Sequence, residues 1–132
     1  MSALRVEIER EADIVAARQA GRQLAAQIGF STTDQTLIAT AISEVARNIV
    51  VYAQSGEIVL DRAEEGGRVG IQVVAIDQGP GIDNKDLAMR DGYSTKNSLG
   101  LGLPGARRLM DDFALDSEVG RGTTVTMKKW KR

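Results

Sequence analysis

The spacing of apolar and polar positions along the chain changes several times, and each change marks an element. Leu4, Val6 and Ile8 alternate with charged neighbours, which predicts a first strand with one buried face. From Asp13 the period lengthens. Ile14, Ala17, Leu24, Ala25 and Ile28 recur at helical spacing, and Gly29 stands where a helix would stop. Gly21, inside that helix, should cost about 1 kcal/mol relative to alanine, and close packing is the expected reason for it. Ser31-Thr32-Thr33-Asp34-Gln35 offers hydroxyl caps, with Gln35 three places after Thr32 in a capping-box arrangement. The helix it opens carries Ile38, Ile42, Val45 and Ile49 as an apolar stripe, extended by Ala41 and Tyr52, through about Ala53.

The period then drops to two. Glu57 to Ala63 and Arg68 to Asp77 read as strands joined by Glu64-Glu65-Gly66-Gly67. Residues 79–99 are rich in glycine, proline, asparagine and charge, and about 82–99 are expected to form a lid. Pro104 stands where a third helix could begin, continued by Ala106 to Met110. Phe113 to Val119 and Thr124 to Trp130 supply two closing strands around Gly120-Arg121-Gly122. The predicted class is α+β: a two-layer sandwich of a mixed, mostly antiparallel sheet with three helices on one face, forming one domain over residues 1–132.

Charge and composition narrow the chemistry. Seventeen basic against eighteen acidic residues give no global pull toward nucleic acid or membrane, and neither is expected as a partner. The basic end, Lys128 to Arg132, reads as a solvated terminus. The absence of cysteine removes thiolate chemistry, and the absence of histidine leaves proton transfer near neutral pH to a carboxylate or a lysine. No signal-peptide layout or membrane-length apolar run is present, so a cytoplasmic protein is expected.

Four short segments carry the candidate chemistry. Glu44 and Asn48 lie four residues apart and project about 40° apart on one helix; Asn48 offers a hard oxygen suited to Mg²⁺, and Glu44 a base. Asp77 ends the apolar run Val73 to Ile76 and precedes Gly79 and Gly81. A half-buried carboxylate there can accept the exocyclic amino proton of adenine, where guanine would present a carbonyl. Gly100-Leu101-Gly102-Leu103-Pro104-Gly105 spells a glycine-rich entry to a helix whose N–H groups attract phosphate. It is not a dinucleotide-fold fingerprint, because no apolar strand precedes it. Gly122 and Thr124 return the chain toward Asp77, with the Thr124 hydroxyl expected beside it; Lys96 could reach a terminal phosphate. Each segment alone also fits an ordinary amphipathic helix, a strand-ending turn, a solvated lysine or a strand threonine. Together they supply a base reader, a metal holder and a phosphate cradle, which is the inventory of an ATP site.

In this order the segments resemble the boxes of the GHKL (Bergerat-fold) ATPases, over residues 44–124. The wording of Asp13 to Gln19, Ile42 to Asn48, Asp91 to Thr95 and Gly102 to Phe113 is similar to the RsbT-type serine/threonine kinases of the bacterial stressosome. That resemblance implies Glu44 as general base and Asn48 as Mg²⁺ ligand. It makes Asp77 with Thr124 the adenine readers, and Gly79, Gly81, Gly100, Gly102 and Gly105, with Leu101 and Leu103 between them, the cradle for ATP. It implies phosphorylation of STAS-domain scaffold proteins and activation of a PP2C-type phosphatase. A nucleotide-gated anti-sigma factor and a histidine-kinase catalytic fragment are the competing readings. Arg22, Arg47 and the first helix are candidates for partner contact.

Overall fold

The computed structural model describes residues 3–79 and 102–132. Its elements run β1 (Leu4–Ile8), α1 (Glu11–Ile28), α2 (Thr32–Tyr52), β2 (Gly56–Glu65), β3 (Arg68–Asp77), α3 (Gly102–Leu109), β4 (Asp112–Glu118) and β5 (Gly122–Trp130). The five strands form one sheet in the order β1-β2-β3-β5-β4. Every pairing among them is antiparallel, so the mixed component expected from sequence is absent from the described sheet.

The helices lie against one face because the strands alternate. Ile58 and Leu60 of β2, Ile71, Val73 and Ala75 of β3, and Val125 and Met127 of β5 are buried in one cluster. Ile14, Ala17 and Leu24 of α1 and Ile38, Ile42, Val45 and Ile49 of α2 join them there, and Leu103 and Ala106 bring in α3. Gly21 lets α1 and α2 close together: a Cβ at that position would overlap the δ-methyl of the fully buried Ile42.

The helix ends follow local chemistry. Gly29 closes α1 in the left-handed region (φ 109°), its N–H shared by the carbonyls of Ala25 and Ala26. The capping box expected at Thr32 and Gln35 does not form. Ser31 is extended and caps α2, accepting from the Asp34 N–H at 3.1 Å, which leaves Thr32 already inside the helix. Gln35 reaches back instead, its Nε2 donating to the Phe30 carbonyl at 2.9 Å. Strands β2 and β3 meet through Gly66 (φ 56°) and Gly67 (φ 80°), two left-handed residues that make the turn tighter than the four-residue reading.

The basic chain end is engaged as well as solvated, Lys131 and Arg132 being exposed. Trp130 is buried, its indole N–H donating to Asp112 Oδ2 at 2.9 Å with the Arg68 guanidinium 4.3 Å from the ring centroid. Lys128 pairs with Glu65, Lys129 donates to the Leu109 carbonyl, and Arg132 pairs with Asp111.

Candidate functional site

Two buried carboxylates stand at two ends of a stretch along α2. Asp77 is the last residue of β3 and is 7% exposed. Its Oδ1 accepts two backbone hydrogen bonds, from Gly79 N–H at 2.9 Å and from Thr123 N–H at 3.2 Å. The first closes an Asx turn, and the second ties the strand end to β5. No described residue donates to Oδ2, so among the described residues the carboxylate is oriented through Oδ1 alone. Gly79 must be small: a Cβ there would lie 2.6 Å from the Cβ of Ala53, the residue that caps α2. Gly122 is left-handed (φ 107°), and a Cβ on it would strike the Asp77 carbonyl.

The register of β3 and β5 corrects one expectation. Asp77 pairs with Thr123, and Thr124 pairs with Ile76. Residues paired across a ladder share a face, so Thr123 stands with Asp77 on the helix side and Thr124 points to the other side of the sheet. Thr123 is buried, and its hydroxyl lies 2.8 Å from that of Ser117 on β4, which also donates to the Gly122 carbonyl at 3.2 Å. The sequence reading missed both Thr123 and Ser117. The alternation of Val125 and Met127 with Thr124 and Thr126 carried the signal for Thr123, whereas nothing local marked Ser117.

Glu44 lies about 13 Å along the α2 axis from Ala53, at 1.5 Å per residue. It is 7% exposed. Its Oε1 accepts from the Gly102 N–H at 2.8 Å and its Oε2 from Arg47 Nη1 at 2.9 Å. The first N–H of α3, expected to face phosphate, is thus taken by Glu44. Gly102 itself is left-handed (φ 69°). Leu103 and Gly105 are buried on α3, Leu103 within the core, so neither offers a side chain to a ligand. Gly81, Lys96, Gly100, Leu101 and the expected lid lie outside the described residues.

Asn48 is half-buried, one turn beyond Glu44, and no described residue hydrogen-bonds its side-chain amide. Its oxygen therefore fits a hard cation. No group of three or more His, Cys, Asp or Glu that could hold a metal exists among the described residues. An ion at Asn48 would take its other ligands from water and phosphate, as Mg²⁺ commonly does.

This fold is that of a nucleotide-using ATPase domain: the histidine kinase-like ATPase domain family matches residues 9–129, and the chain belongs to it. Within that family the chain is a protein serine/threonine kinase, 51% identical over 127 residues to the serine/threonine-protein kinase RsbT of Bacillus subtilis, with 96% of each chain covered. It is also 33% identical to the anti-sigma F factor of Clostridium kluyveri, over 78% of this chain and 75% of that one. Among solved structures, the RsbU and RsbW domains of Rv1364c from Mycobacterium tuberculosis match with a TM-score of 0.65 at 24% identity. All of this chain is covered there, and it spans 33% of that longer chain. The mycobacterial sensor histidine kinase MprB matches with a TM-score of 0.56 at 18% identity, covering 98% of this chain and 99% of the other. At these identities the two structures speak for the fold alone. Among the described residues, no helix is long and apolar enough to cross a membrane.

Proposed function

We propose that the chain is a cytoplasmic partner-switch kinase that transfers the γ-phosphoryl group of ATP to a serine or threonine hydroxyl on a STAS-domain protein of a stressosome. After transfer it would bind and activate a PP2C-type phosphatase in a stress response. One observation carries the chemistry: a buried Glu44, held from two sides, with the Asn48 amide, unpartnered among the described residues, one turn beyond it. The acceptor oxygen forms its bond to phosphorus as the bond to the β-phosphate oxygen breaks and ADP leaves, and the hydroxyl proton passes to the Glu44 carboxylate. Asp77 Oδ2 accepts from the adenine amino group, with Thr123 in place of Thr124 at its side. Asn48 would hold Mg²⁺, which when bound neutralises charge on the phosphate oxygens. Gly79, Gly81 and the backbone of Gly100 to Gly105, with Lys96, would complete the nucleotide contacts.

The test is labelled ATP with candidate STAS proteins, followed by mapping of the modified residue. Replacing Glu44 by Gln should lower transfer by about 10²- to 10⁴-fold, the range of a positioned base, with ATP affinity held within a few-fold. Transfer at the wild-type rate removes Glu44 from this role. An acid-labile product would assign a histidine acceptor.

The similarity to anti-sigma F factors favours a second reading, sequestration of a sigma factor gated by nucleotide. Under that reading the Glu44→Gln protein still retains a sigma factor stoichiometrically when ATP is present.

A further inference from the structure

We infer that Arg47 is a positioning residue for phosphoryl transfer, acting through Glu44; the inference rests on Glu44 serving as the base. Arg47 is three residues beyond Glu44 on α2, so the two side chains are helical neighbours. Its own side chain is 29% exposed and the Glu44 side chain 7%, with Nη1 at 2.9 Å from Oε2. The other oxygen, Oε1, is held by the Gly102 N–H at the head of α3. The carboxylate is therefore clamped through both oxygens by donors on two different elements. A glutamate has three rotatable side-chain bonds, and one donor leaves the plane of its carboxylate free to turn; the second donor fixes it.

Each carboxylate oxygen has two lone pairs, so the clamp leaves an acceptor site on each for an incoming proton. Both partners are hydrogen-bond donors, so each oxygen is met as an acceptor, the role a base needs. Without Arg47 the buried carboxylate keeps one donor and loses its counter-charge, and a misplacement of about 1 Å at a reacting group is enough to cost about 10²-fold in rate. A residue that is half-buried in an ion pair with the base is also poorly disposed to serve a partner surface, for which the sequence alone made it a candidate. Lysine would keep the charge but not the fixed geometry of the guanidinium fork.

The experiment is single-turnover transfer to a phosphorylatable partner protein by Arg47→Gln and Arg47→Lys, each made alone and in a Glu44→Gln background. ATP affinity and thermal melting are measured alongside. Arg47→Gln should lower kcat by about 10- to 100-fold with KM for ATP and for the partner within about twofold, because positioning is felt in the transition state. Arg47→Lys should recover about a third or more of the lost activity on a logarithmic scale, and it serves as the readout should the glutamine protein melt early. In the Glu44→Gln background neither change should reduce the residual rate further, since residues that act as one unit are not additive. An unchanged kcat in Arg47→Gln overturns the inference. So does an equal loss in the Glu44→Gln background, or an effect confined to KM for the partner, which would make Arg47 a docking residue. If Glu44→Gln itself transfers normally, the reading of Glu44 as base has failed first and this inference falls with it.

Discussion

At Asp77 one oxygen does structural work, and under the proposed function the other receives the adenine amino group. The two backbone hydrogen bonds on Oδ1 hold the carboxylate in a single orientation, and the neighbour this orientation selects is Thr123. Thr123→Val should therefore weaken ATP binding about tenfold, in keeping with the roughly 1–3 kcal/mol cost of leaving a polar group unpaired, here at the ligand edge. Thr124→Val should stay within about twofold, since its side chain is on the opposite face. Calorimetric titration of both variants decides between them, and a larger loss at Thr124 would contradict the register argument. Much of the candidate site was legible at this scale. A carboxylate ending an apolar strand and followed by glycines is visible in sequence, as is a Glu–Asn pair at helical spacing. Two adjacent threonines are chemically identical letters, and only the strand's parity tells them apart. The Glu44–Gly102 contact joins residues 58 positions apart, so no local pattern announces it.

Among the elements, the α1–α2 pair sets the plane on which Glu44 and Asn48 sit, and Gly21 sets how closely that pair can pack. Gly21→Ala would gain about 1 kcal/mol of helix propensity but place a methyl group against Ile42, and overpacking typically costs about 1–3 kcal/mol. A net destabilisation is expected in urea unfolding. Ile42→Val, which removes the methyl that collides, should cost less in the Gly21→Ala protein than in the wild type. If the two substitutions add without coupling, the contact is not the reason for glycine at this position. Both helices were readable from periodicity, and the need for close packing followed from a glycine in mid-helix. The cap was displaced because several hydroxyl residues in a row offer competing starts, and the extended backbone at Ser31 decides which one is used. Pro104 proved to be the third residue of α3 rather than its first, a position still within the turn whose N–H groups have no intrahelical partner.

Across the whole molecule, the site and the chain end occupy opposite ends of the same two central strands. Asp77 pairs with Thr123 and Gly70 pairs with Trp130, seven residues or roughly 23 Å apart along the sheet. The far end is a clasp. Asp111 accepts from Trp130 N–H at 2.7 Å and from Arg132 at 2.7 Å. Burial pushes the Asp111 carboxyl up, but the Trp130 N–H, Lys129 and Arg132 together outweigh it and hold it below its ordinary value. A carboxylate whose folded value is depressed contributes stability that is present above its unfolded value, near about 3.9, and is lost as pH falls through the folded value. Asp111→Asn should therefore lower Tm at neutral pH, with the difference from wild type shrinking as the pH drops below about 4. Trp130, the single tryptophan of the chain and itself part of the clasp, reports that transition by fluorescence. Sites this far apart with no shared partner are expected to behave independently, so ATP affinity of Asp111→Asn at neutral pH should match the wild type. A gap in Tm that stays constant down to pH 3 would show that the clasp is held by its geometry and not by the charge on Asp111.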